Sequence, residues 1–379
     1  MRKKILLNLF VLALATLLSA CNAVGTGLYG RETGEDEETG NILGFVLASS
    51  VTQDTNVVSD SRMTLVLAAP SVNDTTYANN LQEIVDFQVS YASSIIGKDN
   101  VVVIVDSATL SYYQNRLPDD VILVDDIFDI WTRDFTTINP ANPVQFTYTS
   151  ASTPTQAESQ SIQTSFTTFA DKYSLTRGTS SYIIDGGNIV DDYNGNYITT
   201  TRFNTDNSLT SSTSKTELKS VLGATNVAII EPDDDVLAHS DGMVMWLENN
   251  VLLVNDYSTI NSTLRTSVLA ELTSSFPSAT IVEVPVQYAD NAAVSQVTNI
   301  NSACGVNLNS VVTNNYVYVP TFNMSHDSSA VAKIRENTSR TVVEIDAQNV
   351  CALGGSVRCL TWQVTGDNAS KLIIAARQN

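Results

Sequence analysis

The chain has 379 residues, 43% of them hydrophobic, with 40 Asp and Glu against 20 Lys and Arg and a formal net charge of -20. That length and apolar content supply the core of one large domain or two ordinary ones, and they exclude a chain disordered throughout. The acidity argues against nucleic acid and anionic membrane surfaces as partners and favours cationic ligands, although it also serves solubility alone.

Residues 1–21 have the parts of an export signal: Arg2-Lys3-Lys4, an apolar run over 5–18, and small residues before Cys21. The apolar run is too short for a confident spanning helix. Leu18-Ser19-Ala20-Cys21 resembles a bacterial lipobox, so Cys21 is expected to carry lipid and to tether the protein in the cell envelope, in the periplasm or at the cell surface. Residues 22–60, with the acidic run Glu35-Asp36-Glu37-Glu38, read as a flexible tether. The folded domain is expected over 61–379, beginning near Arg62.

Strands are expected over 63–69, 101–105, 121–124, 182–184, 197–201, 227–230, 243–247, 251–254, 280–284, 316–319, 341–345 and 359–364, from short β-branched runs between polar turns. Helices are expected over 77–96, 159–173, 214–222 and 262–275. The order is mixed α/β. A weak repeat recurs at Asp125 to Asp134, Glu231 to Asp241 and Asp346 to Cys359: a strand ends in an acid, a loop follows, and a polar cluster opens the next strand. Such repeats around an axis would gather their polar clusters at the centre.

The polar clusters carry one thiol, one imidazole and two carboxylates. A guanidinium is planar and cationic, so Asp134 and Asp241 can clamp its N–H edges, Cys359 can attack its central carbon, and His239 can act as acid and base. No metal or other cofactor is required. The chain has only two histidines, and His326 reads as a surface loop residue. His239 and Asp241 lie two apart, which on a strand would turn both to one face. Of the cysteines, pairing Cys304 with Cys351 would leave Cys359 free, though spacing alone does not establish that pair. Asp233-Asp234-Asp235 lacks the spacing of a calcium loop and reads as a solvated acidic turn.

Taken in order, Trp131-Thr132-Arg133-Asp134, Asp185-Gly186-Gly187-Asn188, His239-Ser240-Asp241, Asn309 before Val317-Tyr318-Val319-Pro320, Ile345-Asp346-Ala347 and Gly354-Gly355-Ser356-Val357-Arg358-Cys359 resemble the agmatine deiminase and bacterial peptidylarginine deiminase family. The resemblance implies a five-bladed, pseudo-symmetric α/β propeller of the pentein type with its active site on the central axis. It implies Cys359 as nucleophile, His239 as acid and base, Asp134 and Asp241 as guanidinium ligands, and Asp185 where many relatives place a longer glutamate against the histidine. Gly187, Asn188 and Asn309 are further residues it brings to the substrate, although Asp185-Gly186-Gly187-Asn188 also reads as a plain β-turn; Trp131 packs either on the substrate or on the core, and Arg133 is expected to hold the acids in place.

The expected partner is a small guanidino compound such as agmatine, or an arginine-containing peptide. Export favours the peptide, the wider family agmatine. A C-terminal arginine would want a cation for its carboxylate; between Arg133 and Arg177 there is only Lys172, which leaves Arg177 and Arg202 as candidates. A non-catalytic surface lipoprotein binding cationic solutes is the competing reading, and it gives the thiol nothing to do. A β-rich adhesin with coincidental motifs is a third.

Overall fold

In the computed structural model, residues 62–126, 128–149, 156–233, 237–288 and 302–378 are described. The export signal, Cys21 and the tether lie outside them. No helix among the described residues is long and apolar enough to cross a membrane.

Among the described residues, sixteen strands form five sheets. In the second, β4 (Thr137–Ile138) pairs antiparallel with β5 (Val144–Thr147), and β5 pairs parallel with β6 (Gly178–Ile183) across the helix Gln156–Lys172. The same antiparallel-then-parallel order recurs three times. It joins β7 (Val190–Asp191), β8 (Asn196–Thr200) and β9 (Asn226–Ile230); β10 (Val244–Glu248), β11 (Val251–Asn255) and β12 (Thr280–Val284); and β13 (Val311–Val312), β14 (Tyr316–Thr321) and β15 (Thr341–Asp346). Each parallel pair is bridged by helix, as parallel neighbours require.

The first sheet completes the set from both ends of the domain. Its parallel strands are β1 (Thr64–Ala68), β2 (Asn100–Val105) and β3 (Ile122–Val124), while the antiparallel position is taken by the C-terminal β16 (Trp362–Val364). The last segment of the domain thus closes the ring of a five-bladed α/β propeller.

Apolar runs without alternation, such as Thr64-Leu65-Val66-Leu67-Ala68, suit strands buried on both faces. Here successive side chains enter different cores: Leu65 and Leu67 pack with Val311 and Tyr318 of the fifth blade, whereas Val66 and Ala68 pack with Tyr148 and Phe166 of the second. Three further clusters join the second blade to the third, the third to the fourth and the fourth to the fifth. Every blade is therefore glued to both neighbours, with each fully buried Leu or Val contributing roughly 1.5–3 kcal/mol.

The expected strands coincide with observed ones to within a few residues, except that the run from 359 becomes a strand only at Trp362. Cys359 consequently sits in a turn. The strands β4, β5, β7 and β13 were not expected; three of them have two residues, too short for any period. The helices Asp327–Glu336 and Gly366–Arg377 were also unexpected, the latter opening on a glycine. Cys304 and Cys351 are joined in a disulfide, and Cys359 is the free cysteine among the described residues.

Candidate active site

The polar segments occupy one structural position in all five blades, just before the antiparallel strand. Asp134 precedes Thr137 of β4, Asn188 precedes Val190 of β7, Asp241 precedes Val244 of β10, Asn309 precedes Val311 of β13, and Cys359 precedes Trp362 of β16. The three-fold repeat legible in the sequence is five-fold, with the Asp185–Asn188 and Asn309 segments filling the remaining places.

His239 and Asp241 are not on a strand. His239 has extended backbone (φ -88°, ψ 136°) and Ser240–Gly242 is a single turn of 3-10 helix. Both still reach the centre, because the turn, rather than strand alternation, aims them there. Asn188 fixes that turn: its side-chain oxygen accepts from Ser240 N at 3.2 Å and from Thr200 N at 3.0 Å. Asn188 is 1% exposed and does not line the cavity.

His239 Nε2 is 3.2 Å from Asp185 Oδ2, and His239 Nδ1 is 3.9 Å from Asp134 Oδ1. The aspartate at 185 therefore reaches the ring despite being shorter than a glutamate. Arg202 Nη1 holds the same Asp185 oxygen at 2.8 Å. Burial disfavours charge on His239, but Asp134 and Asp185 outweigh it and push the imidazole up to about 9. Burial also raises Asp134, against the opposing pull of His239. Asp134 Oδ1 accepts from Gly187 N at 2.9 Å, and a Cβ on Gly187 would stand 2.5 Å from His239 Nδ1 and 2.8 Å from Asp134 Oδ1. Only glycine lets that backbone pass between the two side chains.

Asn309 assembles the thiol loop. Its Nδ2 donates to Cys359 Sγ at 3.1 Å, while its Oδ1 accepts from Ser356 Oγ at 2.9 Å and from Arg358 N at 3.2 Å. Cys359 Sγ is 4.0 Å from Asp241 Oδ2. Burial pushes the thiol well above its usual value, and the Asp241 and Asp134 carboxylates add to the effect. Asp241 is itself raised by burial, with His239, Arg358 and Arg133 pulling the other way. Burial and the carboxylates thus favour the protonated thiol, and the same carboxylates favour the protonated imidazole.

Trp131 does two things at once. It packs against the cores on both sides of the first blade and lines a recess of about 20 Å³ with Asp134, His239 and Cys359; a Cβ on Gly355 would come within 2.4 Å of its ring. Arg133 Nε and Nη2 donate to the carbonyls of Gly186 and Ile189, which fixes the loop carrying Asp185 and Gly187.

The recess shares Leu237, His239, Gly354 and Cys359 with a larger cavity of about 370 Å³. Its outer wall includes Asp233, Tyr257, Ile260 and Tyr288, none of which the sequence singled out as substrate contacts. Asp233 Oδ2 accepts from the hydroxyls of Tyr257, at 2.7 Å, and Tyr288. It is not a freely solvated turn residue; Asp234 and Asp235 lie outside the described residues. Among the described residues, no Lys or Arg lines either space. Arg177 binds Gln145 and Asp171, and Arg202 binds Asp185 and Asp206, so neither candidate for a substrate carboxylate faces the cavity. His326 opens the helix Asp327–Glu336, its Nε2 3.0 Å from the Gly305 carbonyl oxygen.

The fold is shared with agmatine deiminases. The one from C. jejuni, solved with substrate bound, is 16% identical with a TM-score of 0.68, covering 82% of this chain and 95% of the other. That of Enterococcus faecalis is 13% identical with a TM-score of 0.67, covering 84% and 97%. No curated protein matches in sequence. The model of the Porphyromonas-type peptidyl-arginine deiminases matches residues 59–365. With most of its length so matched, and the thiol, the carboxylates, the imidazole and the Asn309 amide gathered from five blades, the chain belongs to the Porphyromonas-type peptidyl-arginine deiminase family of guanidino-group hydrolases.

Proposed function

We propose that this protein is a guanidine deiminase acting through a covalent thiouronium on Cys359, and that its substrate is a small guanidine bearing a second positive charge, of which agmatine is the type. The observation that carries the reading is the convergence of Cys359, His239, Asp134 and Asp241 at the inner end of a cavity that no Lys or Arg lines among the described residues. A guanidinium bound by Asp134 and Asp241 neutralises the two carboxylates that keep the thiol protonated, so substrate binding itself favours the thiolate.

The thiol loses its proton to solvent, and the thiolate adds to the guanidinium carbon and forms the C–S bond. His239, already protonated, gives its proton to the departing nitrogen, and the C–N bond breaks with release of ammonia. The imidazole then takes a proton from water, which adds to the thiouronium carbon. The C–S bond breaks, leaving a ureido product and the regenerated thiol: N-carbamoylputrescine from agmatine, citrulline from arginine. One water is consumed and one ammonia released.

The second charge is argued from the outer cavity. A free or C-terminal arginine would bury a carboxylate there, near Asp233 and away from any Lys or Arg. The stretches 150–155, 234–236 and 289–301 contain no Lys or Arg either. An ammonium, by contrast, finds an acid and two tyrosine rings. The test is ammonia release from agmatine, free arginine and a peptide ending in arginine, with agmatine expected to lead by at least tenfold in kcat/KM. A lead for the arginine peptide would overturn the substrate assignment and leave the chemistry standing.

We further propose that Cys21 is lipidated and holds the enzyme in a bacterial envelope. The support is the basic, apolar and small-residue sequence ahead of it. Full-length protein made in cells fed an alkyne fatty acid should take up the label, and Cys21→Ser should not. An unlabelled full-length protein would end this reading.

A further inference from the structure

Asp241 has two unlike neighbours at one oxygen. Cys359 Sγ is 4.0 Å from its Oδ2, and Arg358 Nε is 3.7 Å from the same atom. Arg358 is in turn shared: its Nη2 is 3.8 Å from Asp191 Oδ1, which Arg133 Nη2 approaches to 3.9 Å. Asp191 is fully buried, and Arg133, Arg358 and Asp241 are at most 6% exposed.

None of these ion pairs closes to hydrogen-bond distance. Neither carboxylate oxygen of Asp191 has a hydrogen-bond partner on another residue, and neither does Arg358 Nε. Both guanidiniums bind the main chain instead, donating to Ile189 O at 2.9 Å from Arg133 and 3.2 Å from Arg358. A small space of about 10 Å³ adjoins the pair, lined by Asp191, Tyr193, Ser310 and Arg358.

Buried ions held nearly 4 Å apart keep the cost of desolvation without the full return of contact. The arrangement makes sense when Asp241 has a second suitor. A guanidinium from Arg358 and a guanidinium from substrate present the same N–H fork to the same carboxylate, so a closed Arg358–Asp241 pair would block the site.

Resting on the deiminase reading, we propose that Asp191 is a positioning residue: it pulls Arg358 toward itself and so keeps Asp241 open for the substrate's guanidinium. Arg133, fixed by Gly186 and Ile189, completes the balance of two cations between two acids.

The test is a double-mutant cycle in the full chain, read as the Kd for agmatine by calorimetry in a Cys359→Ser background, where no turnover occurs. Asp191→Asn keeps the shape and removes the charge; Kd is expected to rise about tenfold. With Arg358→Gln already present the competitor is gone, and adding Asp191→Asn should change Kd less than twofold. An unchanged Kd in Asp191→Asn, or an equal rise in both backgrounds, would overturn the proposal, since a merely structural loss does not depend on Arg358. If Asp191→Asn does not fold, Asp191→Ser replaces it in the same cycle, with the same rise expected and the same two outcomes overturning the proposal. Ammonia release by the unmodified chain separately judges the deiminase reading.

Discussion

Cys359→Ser should lower kcat for ammonia release by about four orders of magnitude or more, the scale on which enzymes with covalent intermediates lose activity when the nucleophile is removed. The loop should survive the change. Asn309 Nδ2, 3.1 Å from Sγ, can donate to a hydroxyl as well, and Asn309 Oδ1 keeps its bonds to Ser356 and Arg358. What is lost is the acidity of the attacking group: a hydroxyl has no accessible anion at neutral pH, and neighbouring Asp241 and Asp134 make an anion there costlier still. Binding of agmatine should persist, because the clamp is untouched. Retention of even a tenth of the wild-type rate, with an unaltered melting curve, would remove Cys359 from the nucleophile's role.

The sequence disclosed the blades that carry unmistakable chemistry and hid those that carry support. His239-Ser240-Asp241 and the Cys359 segment stand out because imidazoles and thiols are scarce in this chain. The blade starting at Asn309 has a two-residue antiparallel strand, Val311–Val312, and no period reveals two residues. The expectation that His239 and Asp241 share a strand face reached the right neighbours by the wrong geometry, since His239 has extended backbone ahead of a single 3-10 turn that carries Asp241. Arg202 was weighed as a receiver of substrate carboxylate, yet it is the cation that anchors Asp185. Only the fold brings residues 185 and 202 together. Asp191 was invisible for a different reason. A single acid after Ile189-Val190 reads as a strand end, and nothing local announces that two arginines from distant segments meet it in the core.

Asp134→Asn separates charge from shape at the centre of this network. The amide oxygen can still accept from Gly187 N, as Asp134 Oδ1 does at 2.9 Å, so the narrow passage of the Gly187 backbone beside His239 need not change. The lost charge has two consequences. One guanidinium contact drops from charge-assisted, roughly 1.5–3 kcal/mol, to neutral, roughly 0.5–1.5 kcal/mol, a loss of about 1–1.5 kcal/mol or about a 5- to 13-fold fall in kcat/KM. The second concerns the proton on His239. Burial pulls its pKa down and Asp134 is the first of the acids that raise it to about 9, so removing that acid must lower it. A protonated imidazole is needed to release ammonia, hence activity declines as pH rises through the His239 pKa, and this alkaline limb should move to lower pH in Asp134→Asn. Profiles of kcat between pH 6 and 10 for both proteins would read the shift. A limb that stays in place, or moves upward, would mean that the proton lost there is not on His239. An unchanged kcat/KM would place the guanidinium clamp on other carboxylates.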